Sequence, residues 1–281
     1  QITMKKAFLL ILFLMLFVPA FSQDAEDYPV RLFETSILID NQTVTTPFKG
    51  LLEFEIHHRF GTVKNGFDDL FGLWGPGNIR LGLNYAITDK LVVGVGTAKN
   101  YMAQDLSVKY ALLRQTESGS MPVSVALYGN MGIDLRSKDN FGSAADDWRE
   151  IHRLNYFTQV LVAKQFSKLS IQVAPTFVYF NAVEVGYKNA NFGISAGAKY
   201  SLFGSHSLIL EYDQLFTKQE NPEFDPKPQF AAGWEIGTAT HAFQIFFANY
   251  HDILGQYNFL YNQNSIGDFN YLIGLNITVR F

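Results

Sequence analysis

The stretch Asn270–Phe281, NYLIGLNITVRF, decides the fold. Tyr271, Ile273, Leu275, Ile277, Val279 and Phe281 fall on one face of an extended chain. Leu272, Gly274, Asn276, Thr278 and Arg280 fall on the other. Alternation this long exceeds the usual globular strand, and about ten residues is what a tilted strand needs to cross a bilayer. The apolar face then meets lipid and the polar face a lumen. The same reading makes the terminal Phe281 an aromatic at the membrane interface. It also makes Phe281 a candidate assembly signal, recognised by barrel-assembly machinery.

The start of the chain agrees with export. MKKAFLLILFLMLFVPAFSQ, from Met4, has two lysines, an apolar run from Ala7 to Val18, Pro19, and small residues at Ala20 and Ser22. That is the pattern of a secretory signal peptide cut after Ser22, and the run is too short for a membrane helix. Gln1, Ile2 and Thr3 precede the methionine and are read as a start artefact. The expected organisation is therefore a leader over 1–22, a periplasmic or plug segment over 23–50, and a barrel over 51–281. The chain has no cysteine, so disulfides, thiol catalysis and thiolate metal sites are excluded.

Without Lys5 and Lys6 the remainder carries 20 basic and 26 acidic residues, net −6. No nucleic-acid partner is implied. Mean hydropathy is near zero at +0.03, as expected where lipid and lumen faces average out. A soluble β-sandwich or closed soluble barrel has similar composition, so the connections must decide. The alternation predicts strands over 51–60, 78–87, 91–98, 104–114, 122–133, 153–164, 168–181, 192–202, 206–216, 229–238, 241–250 and 270–281. Connections after even strands are short; those after odd strands are mostly long. This asymmetry, with an even strand count, is that of an all-β, up-and-down antiparallel transmembrane barrel of about 12 strands.

Charge placement supports the register. Glu53, Glu55, His57 and Arg59 oppose Leu52, Phe54, Ile56 and Phe60. Arg80 opposes Leu81; Asp105 and Lys109 oppose Leu106, Val108 and Tyr110; Glu211 and Asp213 oppose Leu208, Leu210 and Tyr212. Lys199, Glu235 and Arg280 also take the polar face. These twelve residues are the candidate lumen lining: Glu53, Glu55, His57, Arg59, Arg80, Asp105, Lys109, Lys199, Glu211, Asp213, Glu235 and Arg280. Pro175, in mid-strand, predicts a bulge, because it removes a ladder donor.

KGLLEFEIHHRFGTV, NIRLGLNYAITDKLVVGVGTAKN, KYALLRQTESGSMPVSVALYGNM, THAFQIFFANY and LYNQN together resemble a Bacteroidota-type outer-membrane β-barrel family of unknown function. The resemblance runs from about Pro47 to Phe281. It implies a barrel in the outer membrane and carries no catalytic or binding residue with it.

Other motifs add no chemistry. In HH at 57–58 neighbouring side chains point to opposite faces, so the pair cannot chelate one ion. GVGTAKN lacks the third glycine and the following helix of a phosphate loop. Asp139, Asp146 and Asp147 match no calcium-loop spacing. No GxSxG occurs, and His58 and Ser107 face opposite ways. No cofactor and no metal is expected. NGFDDLFGLWGPG places Phe67, Leu70, Phe71 and Trp74 at helical spacing and predicts a short amphipathic turn. The expected function is a narrow porin-like channel or small-solute transporter. The alternative is a non-conducting structural or surface-interaction barrel, with an outer-membrane enzyme as a third reading. The expected partners are outer-membrane lipid and lipopolysaccharide, the assembly machinery and a small polar solute.

Overall fold

A computed structural model describes residues 27–281; the leader assigned to 1–22 lies outside them. Among the described residues twelve strands form: β1 (Leu52–Thr62), β2 (Asn78–Ala86), β3 (Leu91–Ala98), β4 (Gln104–Leu113), β5 (Ser124–Ile133), β6 (Leu154–Phe166), β7 (Leu169–Phe180), β8 (Ala190–Ser201), β9 (His206–Leu215), β10 (Gln229–Gly237), β11 (His241–Ala248) and β12 (Leu272–Arg280). Each pairs antiparallel with its sequence neighbours, and β12 closes on β1. Closure removes both sheet edges, which in lipid would leave backbone groups unpaired. The observed bounds lie within two residues of the alternation-based ones.

The faces separate as the period of two requires. Ile79, Leu81, Leu83 and Tyr85 are exposed outward on β2, while Arg80 and Asn84 are buried inside. The same holds for Leu208, Leu210 and Tyr212 against Glu211 and Asp213 on β9. A membrane supplies the apolar partner that this outer face lacks in isolation.

One expectation is corrected and one is modified. Pro175 produces no bulge. The β6–β7 register runs unchanged from Gln159↔Thr176 to Val162↔Val173, with the pairs between them missing, and β8 stays in register through Pro175↔Ile194. One absent N–H needs no inserted residue, and the exposed ring faces outward. The bulges lie instead near strand ends, between Arg59 and Thr62 in β1 and between Ala111 and Leu113 in β4. The stretch after β1 is a capped turn, as expected, but it does not keep the regular helical spacing that would align its apolar residues. Its 3-10 turn is broken at Gly66, Leu70 and Phe71 adopt positive φ, and Phe67 and Trp74 stand exposed.

Twelve strands enclose a lumen wider than wall side chains alone fill. Residues 29–46 occupy it. The segment enters beside the β4–β5 turn, where Val30 N–H donates to Gln115 O at 2.8 Å, and leaves beside the β2–β3 turn, where Thr46 donates to Asp89 O at 2.8 Å. Between these it doubles back as a hairpin closed by the Ile37↔Gln42 bridge. Its Leu32, Phe33, Leu38, Ile39 and Val44 pack against Leu161, Ile209, Phe246, Tyr250 and Leu272. The hydrophobic core is thus inside the barrel. Gly197 permits the close approach: a Cβ there would lie 2.8 Å from the Leu38 side chain.

Candidate functional site

The hairpin turn is the centre of the lumen. Its backbone N–H groups point outward from a tight turn and need acceptors, since none is available in the turn itself. Glu211 supplies them. Its carboxylate accepts from Ile39 N at 3.0 Å, Asp40 N at 3.0 Å and Asn41 N at 2.9 Å. Asp213, two residues on and therefore on the same face, accepts from Asn41 Nδ2 at 2.8 Å. Opposite them Arg59 donates to Asp40 Oδ1 and to Asn276 Oδ1, each at 2.9 Å, with its guanidinium 4.6 Å from the Phe246 ring centre. Lys109 donates to the carbonyls of Ser36 and Thr43 and to Gln42 Oε1, at 3.1–3.2 Å. Glu53 accepts from Ser36 Oγ and, at 3.2 Å, from Arg280 Nε; Arg280 also reaches Glu34.

Arg80, Asp105, Glu55 and His57 close on each other. Arg80 holds Asp105 through two parallel bonds of 2.9 and 2.8 Å and reaches Glu55 at 3.3 Å. His57 Nε2 stands 3.6 Å from Glu55 Oε2. Glu235 accepts from Gln244 Nε2 at 2.8 Å. Lys199 is buried and, among the described residues, stands outside the hydrogen-bonded network. Among the described residues no group of three or more His, Asp or Glu is placed to hold a metal.

Charge is a poor guide to half of this site. Uncharged amides on the same inward positions grip the hairpin as firmly. Gln172 donates to Gln42 O at 2.7 Å and accepts from Val44 N at 2.9 Å; Asn276 donates to Ile39 O at 2.7 Å; Gln159 reaches Asn41 Oδ1 at 3.2 Å. Strand alternation alone contains the signal for these three. The hairpin's own Ser36, Asp40 and Asn41 carry no such signal, because a turn has no period.

From the long-loop end a helix, α1 (Gly255–Tyr261), folds down into the barrel mouth. Gln256 donates to Asn130 at 3.0 Å and Asn155 at 2.9 Å, and Tyr257 OH accepts from Asn155 at 3.0 Å. Asn258 donates to Asp40 Oδ2 at 2.7 Å. Plug and helix therefore meet at the hairpin tip, and the lumen is occupied from both ends. Beside α1, Asp252 accepts from Asn100 Nδ2 at 2.8 Å and Tyr101 OH at 3.2 Å. Burial raises its carboxyl above the ordinary range, against the lowering influence of those two bonds.

Comparison with known proteins agrees with this architecture. No curated protein matches the sequence. Among solved structures, an outer membrane channel of Pseudomonas putida F1 superposes with a TM-score of 0.50 at 12% identity, over 92% of this chain and 100% of that one. NanC porin gives 0.49 at 11%, over 82% and 98%; KdgM porin gives 0.46 at 7%, over 82% and 98%. At 12% identity the likeness to that channel is one of fold alone. Residues 33–281 match the family model described as a membrane bound beta barrel domain, DUF5777. The chain belongs to that family of membrane-bound β-barrels.

Proposed function

We propose that the protein is a channel of the bacterial outer membrane for small polar solutes, held shut by its N-terminal hairpin. One observation carries the reading: Glu211, Lys109 and Gln172 bond mainly to the backbone of the hairpin segment, not to each other, and Asn276 adds a bond to Ile39 O. A barrel filled for good is at least as stable with an apolar inner wall, since replacing buried charge by packed hydrocarbon is often neutral or stabilising. A wall of carboxylates, amides and cations is one that water can wet once the hairpin leaves. Strand length, the apolar outer face and the aromatic ends of the strands support placement in an outer membrane, after export through the periplasm. Lipid and lipopolysaccharide would contact Leu81 and its neighbours, and assembly machinery would read the strand ending at Phe281. The reading is of a conduit rather than an enzyme.

The test is single-channel conductance in planar bilayers. Full-length barrel should be closed or open rarely, and a chain lacking residues 24–45 should conduct steadily. Silence from both favours the second reading, a non-conducting structural barrel. The occlusion of the mouth by α1, fixed to Asn130 and Asn155, is the observation on that side.

A further inference from the structure

The long-loop end carries a cavity of about 350 Å³ that the plugged lumen does not use. Its floor is aromatic. Tyr101 stacks on Tyr257 with ring centres 3.9 Å apart and planes 12° from parallel. Phe180 meets Tyr257 edge-on at 5.4 Å and Tyr261 at 5.7 Å, and Tyr187 meets Tyr261 at 5.1 Å. The rings come from four separate places: the β3–β4 loop, the end of β7, the β7–β8 loop and α1. Each tyrosine brings an apolar face and a polar tip. Burial pushes the phenols of Tyr101, Tyr257 and Tyr261 up, so they keep their protons at neutral pH. Tyr257 accepts from Asn155, which leaves its own proton to donate.

Apart from Glu184, which is exposed, the charges around the floor are engaged. Arg136 grips Asp134 at 2.7 Å and lies 4.6 Å over the Tyr101 ring. Arg153 pairs with Glu150 at 2.8 Å and donates to the carbonyls of Asp134 and Arg136. An anionic ligand would have to break an existing ion pair, and for a cation the single solvent-exposed carboxylate of Glu184 is a weak hold. A wholly apolar ligand would strand phenols, Asn140 and His152 at the wall, where an unpaired polar group costs about 1–3 kcal/mol. What fits is a neutral molecule with one flat C–H face and many hydroxyls, at a size within the usual range of ligand pockets.

We propose that this outer cavity binds a neutral mono- or disaccharide, its ring face against the partly exposed Tyr261 and Tyr187 and its hydroxyls on the phenols and guanidinium groups of the wall. The inference does not depend on whether the lumen opens. If it does open, Asn258, between the two tyrosines on α1, ties the saccharide site to the hairpin tip at Asp40.

The test uses the full chain in a detergent without a sugar headgroup, with maltose, cellobiose and lactose as probes in saturation-transfer NMR. At least one disaccharide should receive transfer at its C–H protons. Tyr261→Ala and Tyr187→Ala should each weaken binding about ten-fold or more. Tyr261→Phe should weaken it less, and Tyr85→Ala on the lipid face not at all. Heat-modifiable mobility on gels checks that each variant is folded; if Tyr261→Ala does not fold, Tyr187→Ala at the rim and Tyr261→Phe decide. Transfer to none of the three sugars overturns the proposal. So does binding undiminished in the folded tyrosine variants. Conductance is not a readout here, so failure of this site and failure of the channel reading are separable.

Discussion

Leu81 and Asn84 are three residues apart on β2 and face different solvents. Leu81 is exposed on the outer wall, while Asn84 is buried on the lumen side. Leu81→Arg puts a cation at mid-bilayer depth and should cost about 2–4 kcal/mol of folding free energy in lipid. Leu81→Val should cost little. The yield of heat-modifiable barrel in vesicles compares them, and equal yields would reject the register. Glu211 makes the complementary case inside. Its carboxylate serves three backbone N–H groups, and charge-assisted bonds of this kind contribute about 1.5–3 kcal/mol each when formed. Glu211→Ala should raise the exchange rates of the Ile39, Asp40 and Asn41 amides by at least about ten-fold. The barrel amides of β9 should stay protected. Both residues are legible from alternation, because each sits where two media meet across a single strand.

At the scale of elements, β12 is the closing strand. Its residues pair along both β1 and β11, and Phe281 adds backbone bonds to Leu52 of 3.2 and 2.9 Å. Deleting residues 277–281 leaves much of that ladder open in lipid and should abolish both refolding in detergent and delivery in cells. Deleting Phe281 alone should reduce delivery while refolding persists. Normal levels of the longer truncation, detected by gel mobility, would mean that β12 does not close the sheet. The entry of the N-terminal segment is a second element with its own chemistry. Hydrogen bonds from Ser118 and Ser120 hold the Asp27 carboxyl down at about 2, below its usual 3.8. A depressed value means the anchor is in force above the ordinary carboxylate range and is lost as pH falls through about 2. NMR titration of the Ser118 amide should show that midpoint, and Asp27→Asn should erase it. By contrast, α1 is indistinguishable in sequence from the long loop around it. Seven residues of helix in a loop have no repeating lipid boundary to imprint a pattern, and GQYNFLY is set by what its side chains meet in the mouth.

The whole molecule is a barrel with its core turned inward: lipid outside, then a sheet, then a polypeptide plug. Removing residues 24–45 should leave the strands assembled, since closure rests on the ladders, but should lower the temperature at which mobility on gels shifts to the unfolded form. The hairpin contributes Leu32, Phe33, Leu38 and Ile39 to the core, and burial of such side chains stabilises by about 1.5–3 kcal/mol each. An unchanged transition would show that the plug is not docked in the folded state.

The amino-acid sequence by itself determined the number of strands, their faces, the short and long ends, and the inward side of Glu53, Arg59, Glu211 and Arg280. All of these follow from local alternation against a planar boundary, and each strand states its own share. The tertiary structure decided what the inward residues hold. That Glu211 caps a turn 170 residues earlier in the chain, through Asn41 N, depends on closing the barrel around the hairpin. That Tyr101, Phe180, Tyr187 and Tyr257 share one cavity depends on where four separate chain segments land. No local period records either fact, because the groups that meet are distant in sequence and are brought together only once β12 has paired with β1.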